Sequence, residues 1–331
     1  MRNLLLALVA AVALAMLVIV VGVGVGSPSS PAVAEPADSA SASNPTNQYV
    51  TDALDMMESG GYYVDPATWP AQRTEAEQLT NNAPDTAATY PALRAALAAA
   101  GGEHSEWLPP GAPLVDPNPV ESTTPSVTTT PDGISTVSVP ELVSGDPQAL
   151  QRYADSTASS LSRAGQPTSC GWIVDLRDNG GGNMWPMFAG LSPLLADGPM
   201  LSFASNTGER TEVRIEGGTA LAGAQPQASV VDLPKSTKPI AVLQGESTAS
   251  SGEAVLLAFR GQPNVRTIGS DSAGSSTANM SVPMPDGATM VLTTAVYVDR
   301  FNQAFGGRIT PDLSAPDALV AARTWLHEQC G

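Results

Sequence analysis

The first part of the chain carries the apolar periodicity of helices. Between residues 48 and 100, apolar positions recur at spacings of three and four residues, which is typical of amphipathic helices. The first such set consists of Val50, Ala53, Leu54 and Met57. An Ala-rich stretch, 90–102, closes the pattern at a glycine pair, and glycine commonly ends helices. We therefore expect an amino-terminal helical subdomain over residues 47–112.

The second part alternates short apolar runs with helical patterns. The runs predict buried strands at 172–176, 240–243 and 265–269. The helical patterns lie at 146–164, 252–260 and 316–328. Residues 280–298 read as a hairpin around Pro285-Asp286-Gly287. Strands that alternate with helices predict an α/β (α+β) fold in which helices cover a sheet.

The first 46 residues have the pattern of an export segment. A short basic start precedes an uninterrupted apolar run, 4–26, and Ala32-Val33-Ala34 is a candidate cleavage site. The run is longer than a usual signal core and could span a bilayer. We therefore predict that residues 1–34 are a signal peptide or an uncleaved membrane anchor, followed by a linker at 35–46. Both alternatives place the remainder in a secreted or extracytoplasmic location.

Charge and the scarcity of metal-binding residues exclude several classes of function. The net charge of −17 disfavours binding to a phosphate backbone, so we predict no nucleic-acid partner. The chain has only two histidines, His104 and His327, far apart in sequence, and we expect no metal site. Its two cysteines, Cys170 and Cys330, permit one disulfide in an exported protein, or remain as two free thiols.

A serine lies where a buried strand meets a helix. After the strand at 240–243 come small polar residues, and Ser250 stands at the mouth of the following apolar helix. Backbone N–H groups at a helix start lack intrahelical partners and favour negative charge, which suits an acyl oxyanion. Taken alone, the segment favours a plain Ser/Thr helix cap.

Three motifs together distinguish these alternatives. They read Asp175-Leu176-Arg177-Asp178-Asn179-Gly180-Gly181-Gly182, Thr248-Ala249-Ser250-Ser251-Gly252-Glu253 and Ile309-Thr310-Pro311-Asp312. Their order and spacing over 170–313 resemble the C-terminal-processing (tail-specific) protease and tricorn-core family, the S41 serine peptidases. The resemblance implies a ClpP/crotonase-like sheet-and-helix catalytic core, which we place at 113–331.

The resemblance also assigns roles to single residues. It implies that Ser250 is the nucleophile, and that the backbone N–H groups of Gly181 and Ser251 form the oxyanion hole. Glycine suits such a position because it lets the backbone approach the substrate closely. The acyl-enzyme mechanism of the family needs no metal or organic cofactor, and its substrates are peptides or proteins.

The base that activates the serine departs from the processing proteases. Their lysine ends a G-x-x-T-x-G-K stretch, and the matching stretch here ends in Ser275. The only lysines, Lys235 and Lys238, precede Ser250 and match no motif. The loop after the Ala-rich helix instead resembles the histidine-type branch of the family, which implies His104 as the general base. Histidine suits this role because its ordinary pKa lies near 6.5.

Several residues are candidates for the group that orients the histidine. Ser105 is one candidate, by resemblance to tricorn-like sites. The glutamate of those sites has no counterpart at 301–308, where no carboxylate occurs. Glu253, Glu103 and Asp271 remain alternatives.

Two further functions compete with a peptidase. The interval between His104 and Asp175 leaves no room for a full PDZ sheet, so recognition of a substrate tail does not carry over. Without the lysine and the glutamate, the chain could be an inactive S41-like module that binds an apolar ligand or a peptide. An α/β-hydrolase esterase is disfavoured because the segment 270–274 lacks the first glycine of the G-x-S-x-G elbow.

Overall fold

The computed structural model of the chain describes residues 44–112, 124–165 and 170–330. The predicted export segment at 1–34, residues 35–43 of the predicted linker and residues 113–123 lie outside the described residues.

Seven α-helices and fourteen strands are present in the described ranges. The helices are α1 (Pro45–Gly60), α2 (Trp69–Thr80), α3 (Tyr90–Gly101), α4 (Pro147–Ala164), α5 (Met184–Leu191), α6 (Ser251–Phe259) and α7 (Ala318–Cys330). The strands are β1 (Glu106–Leu108), β2 (Ser126–Thr129), β3 (Ile134–Ser138), β4 (Gly171–Asp175), β5 (Gly198–Ser205), β6 (Arg210–Glu216), β7 (Thr219–Ala222), β8 (Gln225–Ser229), β9 (Ile240–Gln244), β10 (Val265–Gly269), β11 (Thr277–Pro283), β12 (Thr289–Asp299), β13 (Ala304–Phe305) and β14 (Leu313–Ser314).

The chain divides into two compact units, and the smaller one is helical. Its described residues are 44–112 and 280–292. Helices α1 to α3 surround a core that includes Leu54, Leu93 and Trp107, all at most 2 % exposed. Strand β1 pairs antiparallel with the start of β12, so that Trp107 lies opposite Met290. The hairpin end at 280–292 thus belongs to the helical unit.

The larger unit is built on a mostly parallel sheet. The strand order is β14-β10-β9-β4-β3-β2, and only β2 runs antiparallel to its neighbour. The central strands β4 and β9 are almost entirely buried because helices cover both faces of the sheet. The carboxyl ends of these two strands lead into the glycine-rich and serine-rich motifs.

Successive side chains of the parallel strands point to opposite faces, as the period of two requires. Val174 and Val242 pack with helices α4, α5 and α6 in the larger core. Ile173 and Ala241, one position earlier on each strand, pack with α7 on the other face. The two faces of the parallel sheet therefore pack against different helices.

Strands β5 to β8 form an antiparallel path that pairs through β5 with the end of β12. The sequence pattern does not reveal these strands. Their connecting turns place Gly208, Gly217 and Gly218 at positive φ, where glycine is favoured.

The predicted α/β (α+β) fold class is confirmed by these elements. The strands and helices expected around the serine motif are present to within one or two residues. Cys170 and Cys330 form a disulfide that ties the end of α7 to the start of β4. In the described ranges, no helix combines the length and apolarity needed to span a bilayer.

Candidate active site

Ser250 stands at the junction of β9 and α6, as the residue that caps the helix. It is half-buried, with φ +50° and ψ −115°. A positive φ is uncommon for a residue with a Cβ and is found at sites that the surrounding structure holds in place. The local chain therefore presents the Ser250 side chain in a fixed, strained turn.

Backbone and side-chain bonds fasten this turn to the glycine-rich motif. The hydroxyl of Thr248 donates to the carbonyl of Leu176 at 2.8 Å. The Ala249 N–H donates to the carbonyl of Asn179 at 3.0 Å. The side-chain amide of Asn179, fully buried, donates to the Val139 carbonyl at 3.0 Å. Sequence segments far apart in the chain are thus joined at the ends of neighbouring strands.

Gly181 lies directly against the candidate nucleophile. A Cβ at Gly181 would be 2.9 Å from the Cβ of Ser250 and 3.2 Å from the Ser251 nitrogen. Its φ of +118° also disfavours any other residue. Ser251 is fixed as well, since its hydroxyl donates to the carbonyl of Gly182. The structure thus brings together the three predicted residues Ser250, Ser251 and Gly181.

One predicted oxyanion donor already has a partner. The Gly181 N–H donates to the side-chain oxygen of Asn179 at 3.0 Å. The N–H of Ser251, by contrast, lies in the first turn of α6, where backbone donors lack intrahelical partners. An oxyanion at this place would have to share the Gly181 N–H with Asn179.

Glu253 is a fully buried carboxylate at the centre of the turn. Its Oε2 accepts from the Ser250 N–H at 2.9 Å. Its Oε1 accepts from the Ser272 hydroxyl at 2.5 Å and from the Gly274 N–H at 2.9 Å. Burial raises the pKa of Glu253, and these donated bonds oppose that shift. Glu253 was one candidate for the residue that orients the histidine. Its hydrogen bonds instead hold the turn that carries Ser250.

Tyr297, on β12, also reaches the site. Its side chain is 1 % exposed. Burial is the main cause that raises the pKa of Tyr297, and the charge of Glu253 adds to it. Sequence reasoning missed this residue because it lies in an apolar strand and has the pattern of a core aromatic.

His104 and Ser105 lie in the helical unit, in the loop that follows α3. Gly102, at φ +71°, ends the helix, and the Ser105 N–H donates to its carbonyl at 3.1 Å. His104 is half-buried, and burial lowers its pKa below the ordinary 6.5. The imidazole is therefore neutral at neutral pH.

The remaining basic and acidic candidates form ion pairs or are exposed. Lys235 forms an ion pair with Asp197, with 2.8 Å between Nζ and Oδ1. His327 is exposed on α7, and its Nε2 lies 3.0 Å from a carboxylate oxygen of Asp132. Glu103 and Asp271 are exposed, and Lys238 is exposed too. Within the ranges that the structure describes, no three His, Cys, Asp or Glu side chains are grouped to hold a metal.

Comparison with known sequences identifies a matching family model and a similar protein. Residues 139–315 match the family model for peptidase family S41. A nisin-resistance protein from Lactococcus lactis subsp. lactis is 34% identical over 298 residues, covering 85% of this chain and 87% of the relative.

Solved structures share the fold. A lipoprotein from Streptococcus agalactiae superposes with a TM-score of 0.75 at 23% identity, covering 91% of this chain and 99% of that chain. The photosystem II D1 C-terminal processing protease superposes with a TM-score of 0.59 at 14% identity, covering 83% and 95%.

Proposed function

Because the chain belongs to peptidase family S41, we propose that it is an exported serine peptidase with Ser250 as nucleophile and His104 as general base. The observation that carries the proposal is the Ser250 turn. A strained, half-buried serine at a helix start lies against a glycine where even an added Cβ would come within 2.9 Å of the Ser250 Cβ.

The proposed reaction begins with acylation. The Oγ of Ser250 attacks the peptide carbonyl carbon while a ring nitrogen of His104 takes the hydroxyl proton. The carbonyl oxygen becomes an oxyanion, and the N–H groups of Ser251 and Gly181 donate to it. His104 then returns the proton to the leaving amine as the C–N bond breaks, which leaves an ester on Ser250.

Deacylation follows the same route with water. His104 takes a proton from water, the resulting hydroxide attacks the ester carbonyl, and the C–Oγ bond breaks. The proton returns to Ser250, so the enzyme ends in its starting state. Apart from the substrate and this water, each step uses side chains and backbone donors of this chain.

Two observations favour His104 over a lysine as the base. The lysine of the processing proteases is replaced by Ser275. Lys235, moreover, is engaged in an ion pair with Asp197. The lowered pKa of His104 keeps its imidazole neutral and able to accept a proton. Ser105, beside it, is our proposed orienting partner.

Several observations support export from the cytoplasm. The apolar run at 4–26 with its Ala-x-Ala site fits a secretion signal. Disulfides such as Cys170–Cys330 persist in oxidising compartments outside the cytoplasm. The relative from Lactococcus lactis is called a nisin-resistance protein, and one structural neighbour is a lipoprotein. We therefore propose that the substrates are peptides met outside the cytoplasm.

Peptide cleavage tests the proposal. The 35–331 protein is incubated with a peptide library and with nisin, and products are identified by mass spectrometry. We expect cleavage by the wild type and its loss in Ser250→Ala. The cleavage rate of His104→Ala should be about 10²- to 10⁴-fold lower than that of the wild type, since a general base usually contributes that much.

Matched control variants separate the loss of a catalytic group from the general effect of replacing a side chain by alanine. Ser247→Ala removes an exposed serine from the same segment, and His327→Ala removes the exposed histidine of α7. Both should cleave like the wild type. Cleavage by Ser250→Ala at the wild-type rate would refute the assignment. A folded wild type that binds peptides and cleaves none would favour the inactive, ligand-binding module.

A further inference from the structure

A fully buried asparagine side chain holds one of the two predicted oxyanion donors. The Oδ1 of Asn179 accepts from the Gly181 N–H at 3.0 Å, and its Nδ2 donates to the Val139 carbonyl at 3.0 Å. The Val139 carbonyl is only an acceptor, so it faces the NH₂ end of the amide, and the oxygen end is left for the Gly181 N–H. The Sδ of Met187 lies 3.5 Å from the same Nδ2. The orientation of the amide is therefore set by its partners.

The backbone of Asn179 contacts the segment that carries the nucleophile. Its carbonyl accepts from the N–H of Ala249, the residue before the candidate nucleophile, at 3.0 Å. A Cβ at Gly252, in the first turn of α6, would be 2.5 Å from that carbonyl oxygen and 2.9 Å from the Asn179 Oδ1. Asn179 therefore packs against the start of α6 and also bonds to Gly181, so that it contacts both parts of the predicted oxyanion hole.

The glycine-rich motif has no side chain next to Gly181 that could direct its N–H. Residues 180–182 are three successive glycines, and glycine has the widest choice of backbone conformations. The Leu142 N–H donates to the Gly181 carbonyl at 3.1 Å and so holds the peptide group that follows Gly181. The peptide group that precedes Gly181 carries the N–H and is held by the Asn179 oxygen. Loss of that oxygen would remove the bond that directs the donor.

We propose that Asn179 is a positioning residue of the oxyanion hole: its side-chain oxygen directs the Gly181 N–H, which the oxyanion shares with it in the transition state. This inference rests on the proposed function, since the oxyanion is the one that forms when Ser250 attacks a carbonyl group. A neutral substrate carbonyl competes with an amide oxygen of similar strength, whereas an oxyanion accepts a charge-assisted bond that is about twice as strong. The shared donor therefore stabilises the transition state more than the bound substrate, which is the condition for raising kcat.

The test compares Asn179→Ala with the matched control Asn183→Ala. The side chain of Asn183 makes the same local bond, since its Oδ1 accepts from the Trp185 N–H at 3.1 Å, but that N–H belongs to α5 and is not a predicted oxyanion donor. Each protein is treated with a fluorophosphonate and with the analogue that has P=S in place of P=O. Rate constants for labelling of Ser250 are measured by peptide mass spectrometry, and thermal melts follow the folding. Sulfur is a weak hydrogen-bond acceptor, so the ratio of the P=O to the P=S rate constant reports the hydrogen bonds given to that atom.

We expect the P=O probe to label Asn179→Ala about 10- to 100-fold more slowly than the wild type, somewhat less than the loss of an entire oxyanion donor would cause. The rate constant with the P=S probe should change much less, so the P=O to P=S ratio should fall. Asn183→Ala should keep the wild-type ratio even if it melts at a lower temperature. A wild-type ratio in Asn179→Ala would overturn this inference even if labelling were slower, because the side chain would then support only the fold.

If Asn179→Ala fails to fold, Asn179→Asp gives the same comparison. Aspartic acid keeps the shape of the side chain, and its neutral carboxyl group can make both hydrogen bonds. Burial favours the neutral carboxyl, so the P=O to P=S ratio should match the wild type at about pH 5 and fall below it toward about pH 8, as a negative charge forms beside the oxyanion. A ratio that follows the wild type over this whole range would overturn this inference and leave the proposed function intact. A wild type that is never labelled at Ser250 and cleaves no peptide would overturn both.

Discussion

Replacement of Glu253 by glutamine tests how the nucleophile turn is held. The carboxylate is fully buried and accepts from the Ser250 N–H, the Ser272 hydroxyl and the Gly274 N–H. Glutamine has nearly the same shape but only one acceptor oxygen. If that oxygen stays toward Ser272 and Gly274, the new NH₂ group faces the Ser250 N–H, and two donors oppose each other.

The magnitude follows from the bonds lost. A buried donor without an acceptor costs about 1–3 kcal/mol, and a bond to a charged group is at the upper end. We expect Glu253→Gln to lower the free energy of unfolding by about 2 kcal/mol. For a chain of this length, that corresponds to a decrease in Tm of roughly 3 °C. Because the lost bond fixes the backbone of Ser250, labelling by a fluorophosphonate should slow as well.

The assay compares two variants with the same change in charge. Glu246→Gln removes a carboxylate from the same loop, where it is exposed, and should keep both Tm and labelling rate. Thermal melts and labelling rates are measured at pH 7. If Glu253→Gln matched Glu246→Gln in both quantities, the carboxylate would not hold the turn and the reasoning would be refuted.

Two other predictions concern the oxyanion side and the base. Gly181→Ala should reduce labelling by more than about 100-fold, because its Cβ would lie 2.9 Å from that of Ser250. Gly198→Ala, at a similar φ of +109° but with no neighbour within 4 Å, is the control and should label normally. The plot of kcat/KM against pH should rise to a plateau with a midpoint below 6.5, since burial lowers the pKa of His104 and only its neutral form accepts a proton. A midpoint above 6.5 would contradict this assignment.

The elements around the nucleophile could be predicted because local pattern and tertiary structure agree there. The run at 240–243 is buried on both faces, so its strand reads as a continuous apolar stretch. The small polar residues and the apolar helix after it mark the turn. Strand β8 has no such signal, since most of its residues are exposed or half-buried.

The helical unit could be predicted only in part. The hairpin end at 280–292 joins it because Met284, Met290 and Leu292 pack with the core of α1 to α3. Apolar side chains on a strand do not reveal which core they enter. That assignment depends on tertiary packing alone.

The contacts within the candidate active site likewise depend on tertiary structure, so the sequence predicts them only in part. The motifs identify Ser250, Gly181 and Ser251 as candidates because their spacing is specific. They do not reveal that Asn179 accepts from the Gly181 N–H. That bond depends on the orientation of the Asn179 side chain, which is fixed by its hydrogen bond to the distant Val139 carbonyl.

The proposed function requires Ser250 to be an activated nucleophile, and the site of fluorophosphonate modification shows whether it is. The folded 35–331 protein is treated with the probe, digested and analysed by peptide mass spectrometry. We expect one adduct, on Ser250, which is absent in Ser250→Ala. An adduct on another residue, or none on a folded protein, would contradict it.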